Sequence, residues 1–181
     1  RSLPLGSLGM NIRWLLATRA EASTLLIRLS IGLVVFVPEG VQKLIFPDIL
    51  GAGRFARIGI PFPHTMGPFV GTVEIVCGVL IIVGLCTRLA TVPLIIVTIV
   101  AIISTKIPIL VGHDLGPFHL AGDMKRVGFW SAQHEARADL TMLLGCAYLL
   151  LAGSGKWSVD AALTGGETRF SRTRLATEHQ P

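Results

Sequence analysis

The chain has 181 residues, of which 51% are hydrophobic and 15% charged, with a mean hydropathy of +0.68. That composition excludes a disordered chain and sits badly with a water-soluble domain. The formal charge of +5 is scattered rather than gathered on one aromatic-interleaved face, so nucleic acid is not an expected partner.

The chain opens on Arg1, and residues 1–21 read as an N-terminal tail. Residues 1–9, before Met10, are read as an upstream extension or a non-native addition. Arg13 and Arg19 precede an apolar run with no small-residue cleavage site behind it, so no secretory signal is expected. The first predicted span runs from Ala22 to Phe46, through LLIRLSIGLVVFV and then Pro38, Glu39, Gly40 and Lys43. Pro38 lacks a backbone donor and is expected to kink this helix.

The second span, Gly67 to Cys86, is twenty residues of almost purely apolar or small type with Glu74 set inside it. That length crosses the ~30 Å hydrocarbon layer, and an ionisable group at such depth marks a function or an internal partner. Gly71 and Gly78 lie three residues before Glu74 and four after, on the same helical face. With Gly32 on the first helix, they predict close helix packing that turns the carboxylate toward protein.

The third span follows Thr87 and Arg88, with seventeen uncharged residues from Leu89 to Thr105. The fourth runs from Ala136 to Ala152 and stops at Gly153–Gly155. Lys156 and Trp157 then suit the head-group level, and residues 161–181 read as a flexible polar tail. The expectation for residues 22–160 is one all-α membrane domain, an antiparallel bundle of four transmembrane helices with two longer outer loops. These loops are Pro47 to Met66 and Lys106 to Glu135. An even number of spans puts both termini on one side. Lys and Arg count seven there from Arg13 onward, against six or seven opposite, a slight asymmetry. The termini are taken as cytoplasmic, in the inner membrane of a bacterium or archaeon.

A polar stripe runs along the first helix through Arg28, Gly32, Val35, Glu39 and Lys43, at spacings of four, three, four and four. At ~1.5 Å per residue, Glu39, Gln42, Lys43, Glu74, Arg137 and Asp139 share the outer half of the bundle, with Arg28 near the inner surface. Depth favours Lys43 or Arg137, not Arg28, as the partner of Glu74. Two readings of the cluster stay open. In one, the charges only pair and set helix register. In the other, they line a pocket for a quinone head group, a small anion or a proton relay. Glu74 and Glu39 would then be the catalytic candidates, with Gln42, Lys43, Arg137 and Asp139 as pocket candidates. Arg28 either snorkels to the head groups or pairs internally.

His64, His113, His119 and His134 fall in the expected outer loops. His113 with Asp114, His119 with Asp123, and His134 with Glu135 are metal-ligand types, but their irregular spacing matches no metal motif, so no metal site is expected. Cys77, Cys86 and Cys146 give neither a disulfide framework nor a CxxC pair. No nucleophile triad, phosphate-binding glycine loop, heme or flavin motif is present.

Several segments together carry a resemblance: LLIRLSIGLVVFVPEGVQK, then GIPFP, VEIVCGVLIIVGLCTRLAT and the closing GSGKWSVD. The chain resembles the DoxX family of small four-helix membrane proteins from about Leu25 to Asp160. The matching positions are Arg28, Gly40 with Lys43, Glu74 with Gly78, Gly84 with Arg88, and the Gly155/Ser158/Asp160 ending. The long histidine-rich loop departs from the pattern. The family includes the membrane subunit of a thiosulfate:quinone oxidoreductase, so the resemblance implies a quinone-linked redox subunit. It leaves open whether this chain is catalytic. A non-catalytic assembly subunit docking partners through its outer loops or lipid-facing helices is the alternative. A small-solute or proton pathway is third, disfavoured by the lack of a lumen or inverted repeat. Arg28 and Arg88 read as structural charges. Any electron path is expected to need another chain.

Overall fold

In a computed structural model, the described residues 22–120 and 126–163 are helical and contain no β-strand beyond an isolated bridge between Leu115 and Phe118. The expected tail at residues 1–21 and residues 164–181 of the expected C-terminal tail lie outside the described residues, while residues 161–163 of the latter are helical. Among the described residues, three helices are long and apolar enough to cross a membrane: Thr24–Ile45, Pro63–Val83 and Thr87–Val111. Outward-facing Leu26, Leu33, Val76 and Val92 give these helices the apolar exterior that lipid requires.

The first helix has three parts: α1 (Thr24–Val34), a π-helical segment π1 (Val35–Val41) and α2 (Gln42–Ile45). Pro38 lies inside π1. A proline in a regular helix removes one amide donor and crowds the carbonyl four residues back. Here the turn widens instead, and the Gln42 amide reaches back five residues to Val37. The expected perturbation at Pro38 takes the form of this wide turn.

A short helix α3 (Ala52–Arg57) follows, then α4 (Pro63–Val83), which starts four residues before the predicted Gly67 because Pro63 fits the first helical position. α4 runs antiparallel to the first helix. A Cβ added to Gly32 would lie 2.6 Å from Ile82, one on Gly40 2.9 Å from the Ile75 nitrogen, and one on Gly78 3.0 Å from Phe36. Glycine on both helices is thus what allows the close approach.

The turn at Gly84 leads into α5 (Thr87–Ala101), a second π segment π2 (Ile102–Lys106) and α6 (Ile107–Val111). The predicted third span stopped at Thr105, but the helix continues to Val111. Lys106 therefore belongs to a helix rather than to the outer loop. It is tolerated there because it has an internal carboxylate partner.

The last long helix, α7 (Phe129–Ala152), begins seven residues before the predicted Ala136 and takes in His134 and Glu135. Its first half carries His134, Glu135, Arg137 and Asp139 within six residues, so it is less apolar than the other three. It packs on α5, α1 and α6. The core joins Ile31 and Val35 of the first helix, Cys77 and Ile81 of α4, Leu94 of α5, and Met142, Cys146 and Leu149 of α7.

Candidate functional site

The charged residues divide between the two ends of the molecule. At the Gly84 end, Arg28 leaves α1 and donates to the carbonyls of Ser154 and Trp157, both at 2.6 Å. Internal pairing, not snorkelling, is therefore the arrangement of Arg28. Gly84 has φ +72°, and a Cβ there would lie 2.5 Å from both Arg28 Nη1 and Ser158 Cβ. Only glycine combines that left-handed backbone with so close an approach. Asp160 accepts the amides of Cys86 (2.7 Å) and Thr87 (3.2 Å), capping α5, and its own amide donates to Gly84 O at 3.0 Å. Arg88 donates to Leu151 O at 3.0 Å.

At the opposite end, Lys43 donates to Glu39 Oε2 and Glu74 Oε1, each at 2.9 Å, and to Glu39 O at 3.2 Å. Its ammonium is also 2.8 Å from Glu74 Oε2, within ion-pair reach but too poorly aligned for a second hydrogen bond, so that oxygen accepts none. Glu74 is 2% exposed, while Glu39 is about half-buried. The triad forms because Glu39 and Lys43 are four residues apart on the first helix, and Gly71 and Gly40 bring α4 against them. Of the two cations expected near Glu74, the structure brings Lys43. Arg137 lies on the exposed side of α7, with its Nη1 2.7 Å from the ring nitrogens of His134.

A cavity of about 510 Å³ opens beside the triad. Ligand sites commonly fall between ~300 and 1,000 Å³. Glu39, Lys43 and Glu74 line one wall, π2 and α7 the other, and Arg54, Phe55 and Ile58 of the α3 region close over it. Arg137 and Asp139 also line it, whereas Gln42 does not. The second wall carries an ion pair that sequence reasoning missed, Lys106 Nζ to Asp139 Oδ2 at 3.2 Å. The available signal was the apolar IPILV that continues after Lys106, which makes this lysine an intrahelical charge of the same kind as Glu74. Both π segments border this cavity, as such segments frequently do at functional sites.

The histidine-bearing loop is separate. Asp114 accepts the Leu120 amide at 2.7 Å and pairs with His119 Nδ1 at 3.0 Å. Those two contacts, the amide first, hold its carboxyl below the usual carboxylate range. His113 turns back on the Asp114 carbonyl, and the His119 amide joins the loop to Ile58. Among the described residues, no three His, Cys, Asp or Glu side chains converge to hold a metal ion; Asp123 lies outside them. Cys77, Cys86 and Cys146 are free thiols.

The comparisons with known proteins bear on the same residues. No solved structure matches the chain. The uncharacterized membrane protein Rv3486 of Mycobacterium tuberculosis is 47% identical over 150 residues, covering 83% of this chain and 86% of that protein. The DoxX family model matches residues 23–107, which take in α1 through π2 and both Glu74 and Lys106. The chain is an integral membrane protein belonging to the DoxX family.

Proposed function

We propose that this DoxX protein is a quinone-facing subunit of a membrane redox system, in which Phe129–Ala152 is the fourth transmembrane helix and both termini are cytoplasmic. One observation carries the reading: a carboxylate–lysine–carboxylate triad with Glu74 buried borders a ligand-sized cavity whose lining also includes Phe55, Phe69, Ile96 and Val97. A quinone needs such a place, a flat apolar slot for its ring and exchangeable protons at its oxygens. Reduction to the quinol takes up two electrons and two protons. Glu39, partly open to the outside, and Glu74, buried behind Lys43, supply a route for protons. The electrons come from another chain, with a sulfur compound such as thiosulfate as the donor class that the family suggests.

The alternative is a non-catalytic assembly subunit. It is favoured by Phe129 and Trp130, an edge-to-face pair 5.2 Å apart at the start of α7. Trp130 is 82% exposed and free to meet a partner. Purification in native lipid separates the two readings. Co-purified quinone together with thiosulfate-dependent quinone reduction by the complex supports the redox subunit. A stoichiometric complex with neither quinone nor turnover supports assembly. The topology is tested with single cysteines in a cysteine-free background: labelling of positions 116 and 156 from the same face of sealed vesicles would defeat the fourth span.

A further inference from the structure

The two lysines facing the cavity are engaged differently. Lys43 has three ammonium donors and three acceptors around it, so its hydrogen-bonding capacity is filled. Lys106 is 8% exposed, yet its contact with Asp139 is 3.2 Å and too poorly aligned to be a hydrogen bond, and the described residues offer it no other acceptor. The remaining Lys106 donors reach the open cavity, where water or a ligand oxygen can accept from them. The hydroxyls of Ser104 and Thr105 beside it are in the same position. Both residues are buried, both line the cavity, and neither hydroxyl bonds to a described residue. Thr98, earlier on the same helix, closes its hydroxyl on Leu94 O at 2.7 Å in the ordinary way. The difference lies in π2. There the Ile107 amide reaches back five residues to Ile102, shifting the carbonyls that a helical hydroxyl would normally find.

We propose that π2 is an oxygen-binding site: Lys106, Ser104 and Thr105 donate to a carbonyl or carboxylate oxygen of an amphipathic ligand. The ligand's apolar body lies along Met66, Phe69, Ile96 and Val97. The proposal deepens the quinone reading by naming Lys106, not Lys43, as the residue that holds the ligand oxygen. The Lys106 ammonium repels a cationic head group at this position.

The test is equilibrium binding to the purified full chain in lipid nanodiscs, with decylubiquinone, decanoate and decyltrimethylammonium as probes. The charge-neutral double variant Lys106→Met/Asp139→Leu avoids stranding Asp139, and Ser104→Ala/Thr105→Val keeps both charges. Decylubiquinone is expected to bind the native chain, about tenfold more weakly to the charge-neutral variant and about threefold more weakly to the hydroxyl variant. Lys106→Arg should restore most of the affinity, and decyltrimethylammonium should not compete. Decanoate binding that depends on Lys106, without quinone binding, would keep the oxygen site and overturn the quinone reading. Quinone binding equal in the native, charge-neutral and hydroxyl forms would overturn the Lys106 site and leave the quinone reading standing. Binding of neither probe to the native chain would overturn both.

Discussion

The two ends of this molecule treat buried charge in opposite ways. At the Gly84 end, Arg28 and Arg88 meet backbone carbonyls and Asp160 meets backbone amides. At the Glu39 end, Lys43 and Lys106 meet the side chains of Glu39, Glu74 and Asp139 around a cavity. Backbone partners do not titrate and cannot move without moving the chain, so the first end is a clasp joining α1, the α4–α5 turn and the end of α7. Carboxylate partners can exchange protons and swing aside, and open space lies next to them. Helix geometry follows the same division. α4 and α5 meet through a tight glycine turn at the clasp, whereas both helices that carry the lysines widen into π segments at the cavity. Structure and chemistry are thus kept about one helix length apart.

The largest effect that would break this comparison is expected at Asp160. Asp160→Ala removes the cap from α5 and withdraws the negative charge that acts on Arg28. Leaving the Cys86 and Thr87 amides without their acceptor costs about 1–3 kcal/mol each, and the charge lost near Arg28 adds to that. Thermal unfolding in detergent should show a large fall in midpoint. An unchanged midpoint would mean that the clasp holds nothing together.

Glu74→Gln should cost less, about 1.5–3 kcal/mol, the range for a hydrogen bond to a charged group. Lys43 retains Glu39 at 2.9 Å, so the cation is not stranded. The same variant should abolish proton-coupled quinone reduction, since the amide cannot take up a proton in the working range. Stability and activity therefore separate at this end of the molecule and do not separate at the other. A Glu74→Gln chain that is stable and fully active would show that the triad is packing alone.

Gly84→Ala comes next. Forcing an L-residue to φ +72° costs about 1–2 kcal/mol in backbone alone. The new methyl must also displace Arg28 Nη1 and Ser158. Its effect should appear as a lower melting point with ligand affinity unchanged, because the cavity lies at the far end.

Much of this division was legible in the sequence. Spacing alone put Glu39 and Lys43 on one helical face, and flanking glycines pointed Glu74 toward protein. The four-residue rule and the size of glycine are local, and they survived folding. What could not be read locally was partner choice across helices. Arg28 was equally compatible with lipid head groups, because nothing in LLIRLS says that the GSGKW turn folds back over it. Lys106 was assigned to a loop because a charge after seventeen uncharged residues resembles a helix end, and its partner Asp139 is 33 residues away. The π segments left no sequence mark beyond nearby prolines. They reflect tertiary packing that overrides the ordinary helical register. The polar first half of α7 likewise hid seven residues of helix, since apolar periodicity was the signal used to find helices.

The smallest effect concerns the histidine-bearing loop, where charge is exposed and neither kind of burial operates. The Asp114 carboxyl is held below the usual carboxylate range by the Leu120 amide and then by His119. A carboxylate whose folded pKa is depressed favours the folded loop fully above the unfolded value of about 3.9. That contribution is lost as pH falls through the lower, folded value. Between neutral pH and about 5 the loop should therefore stay closed, and acid below about 4 should release residues 113–120 from Ile58. Hydrogen exchange at the His119 and Leu120 amides is the measurement, because those two protons are held by Ile58 O and Asp114 Oδ1. His119→Ala should leave the Leu120 bond in place and move the opening only slightly toward neutral pH. Asp114→Asn should keep an acceptor for Leu120 while removing the acid dependence. Neither change should shift the global melting point, because the loop touches neither the clasp nor the triad. A global shift of the size expected for Asp160→Ala would join this loop to the core of the fold.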